Sequence, residues 1–466
     1  MTPFPSATTI AELVRSGQRS ALSVVEESLA RIAEMDPAIG AFQVVDAAAA
    51  RTAAAAIDAG SADGLPLAGV PVAVKDNIDV AGLPTRFGSA ATSDEPAATD
   101  DELVRRLRSA GAIVVGKTRL PELAIWHFTE SAFGGTRNPR SPARNAGGST
   151  GGGAAAVAAG MVPLALGSDG GGSLRIPSAN CGVIGFKPGT GTVPLAGGLE
   201  EHWLGCSAFG PIAGTVPDIA VAMTVLAGQS WPAPEAPHRL RVGVAVNRPV
   251  PGGAPDATAR LAVTRAVYAL RSLGHEVTSV KVPYTPKVAI GWVGCWLAGI
   301  AQDVEHLGLA LDRLEPRTQW MVRRGRGVQR RQGAELRRLR RLRDEWRSLA
   351  VDFLRSCDVL LTPAISRPSP PLGWGASVGF ARAFQNGSGV TPYTQAWNLA
   401  GVPAMSLPFG SDGAAPAGAL PGAVQLVSAP GREPDLLALA AQLQSWQPPE
   451  TGPTGIHWPD LPGLPF

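Results

Sequence analysis

Two serines lie inside glycine clusters: Ser149 in GGSTGG and Ser173 in GGGSLR, 24 residues apart. Glycine frees the backbone to reach positive φ and lets amide N–H groups face a ligand with no Cβ between them. A serine placed there could attack a carbonyl with an oxyanion pocket beside it. A serine hydroxyl is a poor nucleophile at neutral pH and needs a base. Six histidines (His127, His202, His238, His275, His306, His457) lie outside both clusters, and no G-x-S-x-G elbow contains Ser173. Lys75 ends the apolar run Val70–Val74. Burial could lower its pKa into a useful range. The alternative is a strand-end lysine paired with Asp76 or Asp79, and the residues alone leave both open.

One motif does not survive its context. Gly111-Ala-Ile-Val-Val-Gly116-Lys117-Thr118 fits the phosphate-loop pattern letter for letter. Such a loop follows a strand and opens a helix at its lysine. Here the variable positions Ala-Ile-Val-Val favour a strand themselves, and Pro121 follows closely. The reading is a strand leaving a helix C-cap.

The elements around these residues alternate. Helices are expected over 23–35, 47–59, from about 99 to 111, over 153–159 and over 434–444. Strands are expected within 69–80, 112–116, 162–167, 239–246, 357–363, 401–410 and 423–428. Alternation of this kind argues for an α/β fold: a large mixed, mostly parallel β-sheet covered by helices. An arginine-rich helical stretch spans 312–356. Leu339, Leu342, Trp346, Leu349 and Phe353 share one face, and the arginines on the other faces read as solvated rather than as an RNA contact. The Pro-rich segment 231–237 is too short to define a boundary, so residues 1–466 read as one domain. The tail from Pro448 reads as surface chain.

Composition narrows the class further. Among 466 residues 45% are hydrophobic and 17% charged, which suits a well-buried globular chain. A balance of 41 basic and 38 acidic residues gives no case for nucleic-acid binding. Cys181, Cys206, Cys295 and Cys357 show no metal-ligand spacing and read as reduced thiols of a cytoplasmic protein. The start lacks a signal-peptide pattern, and no segment reads as a membrane span.

The ordered set of motifs resembles the amidase signature family. GVPVAVKDNIDV resembles its lysine segment, NPRSPARNAGGSTGGGAAAVAAG its first glycine-serine segment, and LGSDGGGSLRIPSANCGVIGFKP its signature core. GAIVVGKTRLPELA, FGPIAGTVPDIAVAMTVLAG, CDVLLTPA and WNLAGVPAMSLPFG extend the likeness from about residue 20 to 445. The resemblance implies a Ser-Ser-Lys triad: Ser173 as nucleophile, Ser149 as bridge after a cis peptide bond, and Lys75 as base. It further implies an oxyanion hole from the N–H groups of Gly170, Gly171, Gly172 and Ser173, with Asp169 and Arg175 bracing the loop. The implied activity is hydrolysis of an amide C–N bond through an acyl-enzyme, with aryl amides and carbamates (urethanes) as substrate classes and no metal or cofactor. The expected partner is a small molecule, and the expected state a monomer or homodimer. The alternative is the A subunit of a glutamyl-tRNA amidotransferase, although LGCSAFGP lacks the aspartate usual in that protein. Thr150, Trp126, His127 and Trp203 are the pocket candidates, with core packing as the alternative for each aromatic. Two departures, Gly170 for Thr or Ile and Arg140 for Trp, are expected to alter the pocket. The segment 312–356 is a candidate cover for its entrance.

Overall fold

The computed structural model describes residues 4–231, 239–249, 253–330, 333–409, 420 and 422–447. The segment 232–237 and the tail from Pro448 lie outside the described residues. Eleven strands form one sheet. In chain order they are β1 (Phe42–Val45), β2 (Pro71–Lys75), β3 (Ile113–Thr118), β4 (Leu164–Asp169), β5 (Ile184–Lys187), β6 (Ala208–Ala213), β7 (Arg241–Val244), β8 (Glu276–Ser279), β9 (Val359–Pro363), β10 (Ala404–Pro408) and β11 (Ala423–Val427). Their order across the sheet is β1-β3-β2-β4-β6-β5-β10-β11-β9-β7-β8.

The sheet is mixed, as expected, but not mostly parallel. Four of its pairings are parallel: β2 with β3, β2 with β4, β7 with β8, and β7 with β9. The other six are antiparallel. Helix–strand alternation reports what joins consecutive strands, whereas direction in the sheet depends on which strands become neighbours. Helices between β2 and β3, and between β7 and β8, make parallel crossover units at the two flanks. The centre is built from strands that return antiparallel.

The site depends on the first flank. β2 and β4 run side by side with Val74 opposite Leu166. Lys75 and Asp169, the last residues of these strands, therefore reach the same edge of the sheet. Both strands are buried along their whole length, which fits their continuous apolar runs. Helix α1 (Gly151–Ala158) packs on β4 and β2, and α2 (Arg175–Cys181) follows the second glycine cluster. Further on, α3 (Pro286–His306), α4 (Pro316–Gln329), α5 (Ala334–Leu354), α6 (Phe380–Val390) and α7 (Gln395–Ala400) build a helical layer around a second apolar cluster. The expected arginine-rich stretch is thus two helices, α4 and α5.

β3 contains Lys117 and Thr118 as strand residues, so the phosphate-loop pattern is a strand. Lys117 is buried and pairs with Asp76 at 2.7 Å. It also donates to Thr85 Oγ1 at 2.6 Å.

Candidate active site

The structure brings Lys75, Ser149 and Ser168 together. Lys75 Nζ lies 2.7 Å from Ser149 Oγ, 2.9 Å from Ser168 Oγ and 3.3 Å from the Ser168 carbonyl. These three contacts use the three N–H donors of a lysine ammonium; loss of one proton would leave a lone pair to accept from the Ser149 hydroxyl. Burial pushes the Lys75 ammonium down to about 7, partly opposed by the Asp169 carboxylate. Asp76, one of the two acidic neighbours considered for Lys75, is engaged by Lys117 instead.

Close packing explains the first glycine cluster. A Cβ on Gly148 would meet the Trp126 carbonyl at 2.6 Å, and one on Gly152 the Ala41 carbonyl at 2.3 Å. Ser149 follows a cis peptide bond from Gly148. Thr150 is fully buried; its hydroxyl donates to the Ser168 carbonyl at 3.1 Å, and its N–H to the Ser173 carbonyl at 3.1 Å. It lines neither of the cavities described below, so it ties the two clusters together rather than facing substrate.

The second cluster is held by its carbonyl groups. Gly170 O accepts from the Trp292 indole at 3.0 Å, and Gly171 O from Thr394 Oγ1 at 2.7 Å. Gly172 O accepts from Ile176 N at 2.7 Å. In a trans peptide the N–H is opposed to its carbonyl, so the N–H groups of Gly171 and Ser173 face away from these anchors. Among the described residues, the N–H groups of Gly170, Gly171 and Ser173 have no hydrogen-bond partner. Gly172 differs: its N–H donates to Asp169 Oδ1 at 2.6 Å. Of the four N–H groups expected as oxyanion donors, one is thus taken and three are free among the described residues.

Asp169 and Arg175 are the brace. Arg175 is fully buried and spends its five N–H donors on Asp169 (two bonds at 3.0 Å), Asn398 (2.6 Å), Gln425 (2.6 Å) and the Thr394 carbonyl (3.2 Å). Burial opposes the Asp169 charge, but the Arg175 guanidinium, Lys187 and the Asn398 amide hold its carboxyl below the usual range. An ion pair this enclosed fixes geometry, since removing one partner would leave a buried charge uncompensated.

Two cavities flank the serines. One, of about 510 Å³ with its open mouth, carries Ser173, Gly148 and Gly171 among Trp126, Trp292, Trp296 and Phe384. The other, of about 950 Å³, carries Ser149, Ser168 and Gly170 with Asn77, His202, Ser207 and Asp303. Ala124 and Trp203 line both. These two residues have φ of 60° and 49°, and their neighbours Leu123 and Leu204 also lie at positive φ. Non-glycine residues rarely adopt that region, at a cost on the order of 1–3 kcal/mol each, and they gather where function demands it.

Trp126 and His127 line the first cavity and also pack into the core. Both readings of these aromatics therefore apply at once. Burial pushes the His127 imidazole down to about 4, and Asn386 Oδ1 lies 2.8 Å from its Nε2. Trp203 is held by its indole N–H donating to Asp303 Oδ2 at 2.8 Å. Sequence reasoning missed Trp292, Trp296 and Asp303, all on α3, and Phe384 on α6. The apolar run around Trp292–Trp296 carries only a core-like signal. Arg140 donates to the Cys181 carbonyl at 2.9 Å and lines neither cavity, so this departure does not shape the pocket. No described residue of 312–356 lines either cavity; α4 and α5 pack on α3, which does. Among the described residues no cluster of potential metal ligands occurs, and no helix is long and apolar enough to cross a membrane.

The amidase family model matches residues 23–437. The amidase-family protein AmiB2 of Mycobacterium tuberculosis is 40% identical over 475 residues, covering 96% of each chain. A glutamyl-tRNA(Gln) amidotransferase A chain from Roseiflexus castenholzii is 41% identical over 293 residues, covering 59% of each. Among solved structures, 6-aminohexanoate cyclic dimer hydrolase complexed with substrate superimposes with a TM-score of 0.85 at 30% identity, covering 95% of this chain and 97% of that one. Motifs, sheet and full-length likeness agree: the chain belongs to the amidase signature family and is an amide-hydrolysing enzyme.

Proposed function

We propose that the enzyme hydrolyses small amides through a Ser173 acyl-enzyme, with Ser149 and Lys75 as the proton route. The supporting observation is the 2.7 Å contact between Lys75 Nζ and Ser149 Oγ in a fully buried setting. Neutral Lys75 takes the Ser149 proton as Ser149 takes that of Ser173, whose oxygen bonds to the substrate carbonyl carbon. The carbonyl oxygen becomes an oxyanion facing the N–H groups of Gly170, Gly171 and Ser173, where one donor is typically worth about 2.7–4 kcal/mol of barrier. Collapse of this intermediate breaks the C–N bond, and the leaving nitrogen takes its proton back through Ser149. Water then attacks the ester along the same route in reverse. The aromatic lining beside Ser173 favours aryl-bearing amides, and carbamates share the carbonyl chemistry.

The experiment is a panel of amides, anilides, esters and carbamates on the isolated protein, with Ser173→Ala alongside. The expected result is amide turnover without any partner protein, with a loss of about 10³-fold or more in the variant. Unchanged turnover by Ser173→Ala would refute the nucleophile. The amidotransferase reading, supported by the likeness to that A chain, requires instead that the isolated chain be inactive on simple amides and copurify with partners.

A further inference from the structure

The proton route assigns the two cavities to the two halves of the substrate. This inference rests on the proposed roles of Ser173 and Ser149. An amide carbonyl carbon attacked by Ser173 carries three other groups: the oxyanion, the acyl chain and the leaving nitrogen. The oxyanion is directed to the free N–H groups around Gly171 and Ser173. The nitrogen must lie where Ser149 can return a proton to it. Ser149 and Ser168 line the larger cavity, whereas Ser173 lines the smaller one. The geometry points to an aromatic acyl group in the Trp126–Trp292–Trp296–Phe384 cavity and the leaving amine in the Ser149–Asn77–His202 cavity, with Ala124 and Trp203 as the partition.

The chemistry of each wall supports its assignment. In the smaller cavity Trp292 and Trp296 stack at 5.2 Å between ring centroids, and Trp296 stacks on Phe384 at 6.3 Å. Flat apolar groups suit such a slot, because offset stacking adds to simple burial. The larger cavity sets hydrogen-bonding groups beside an apolar lining of Phe87, Leu123, Leu199, Phe209 and Leu307. Asn77 Nδ2 donates to Ser168 Oγ at 3.2 Å, while Asn77 Oδ1 is buried with no partner among the described residues. His202 bridges Ser207 (2.7 Å) and Asp303 (2.9 Å) on the same wall. The larger cavity therefore takes an amine that carries a hydrogen-bonding group beside an apolar part, such as a hydroxyalkylamine.

Four probes separate the halves: acetanilide and phenylacetanilide vary the acyl group, and N-(2-hydroxyethyl)- and N-hexyl-phenylacetamide vary the amine. The readout is the ratio of kcat/KM within each pair. The wild type is expected to favour phenylacetyl over acetyl, and hydroxyethyl over hexyl, each by about tenfold or more. Half-buried Phe384→Ala should shrink the acyl ratio at least about fivefold and leave the amine ratio unchanged. Leu307→Trp, at the half-buried wall of the larger cavity, should do the reverse. Phe384→Leu and Leu307→Phe serve if the first variants fail to fold. Crossed effects, or ratios that neither variant moves, would overturn the assignment even if Ser173→Ala is inactive. Full activity of Ser173→Ala would instead sink the nucleophile on which the assignment rests.

Discussion

The proposed role of Lys75 as a base rests on surroundings that offer its nitrogen hydroxyl and carbonyl oxygens, with no carboxylate bonded to it among the described residues. Its pKa of about 7 follows from burial, partly offset by Asp169. The catalytically useful form is the neutral amine, which is populated above that value. For amide substrates, kcat/KM should rise about tenfold per pH unit below pH 7 and flatten above it. Lys75→Ala should abolish that limb and slow amides more than activated esters, whose leaving oxygen needs no proton. An unchanged pH limb in the variant, or equal losses for both substrate classes, would contradict proton delivery through Ser149. The three polar side chains were legible as residue types within recognisable motifs. Their mutual arrangement was not: Lys75 has two acidic neighbours in sequence, and its nitrogen turns to serines far along the chain. Gly172 was likewise illegible as a braced residue: its N–H direction is set by Asp169, three positions earlier, and not by glycine content.

At the scale of elements, the loop between β4 and α2 is shaped by aromatics from elsewhere in the chain. A Cβ on Gly170 would meet the Trp203 ring at 2.6 Å, and one on Gly171 the Trp292 ring at 2.5 Å. Gly170 therefore makes room for Trp203. Gly170→Thr should destabilise the fold by about 1–3 kcal/mol through overpacking and depress kcat/KM. Trp203→Ala in the same chain should recover part of that loss, giving a non-additive cycle read by denaturant unfolding. Additive effects would mean that the two residues do not compete for the same space. β2, β3 and β4 were visible in sequence because strands buried on both faces are continuous apolar runs. Helix α3 went unread as part of the site: Trp292 and Trp296 follow the same spacing as core residues, and only tertiary packing turns one face toward Ser173.

Across the whole molecule, the parallel pairing of β2 with β4 puts Lys75 and the braced loop at one end of these strands, beside the two cavities. Alternation of elements predicted the α/β class but not strand direction, which depends on neighbours distant in the chain. It also could not place α4 and α5, which pack on α3. Catalysis as proposed turns on one covalent bond. Mixing the isolated enzyme with a slowly hydrolysed activated phenylacetyl ester, quenching in acid and mapping the peptides by mass spectrometry measures it directly. The predicted result is a single acyl increment on the peptide containing Ser173, lost in Ser173→Ala. An acyl group on Ser149 or on a cysteine, persisting in that variant, would contradict it.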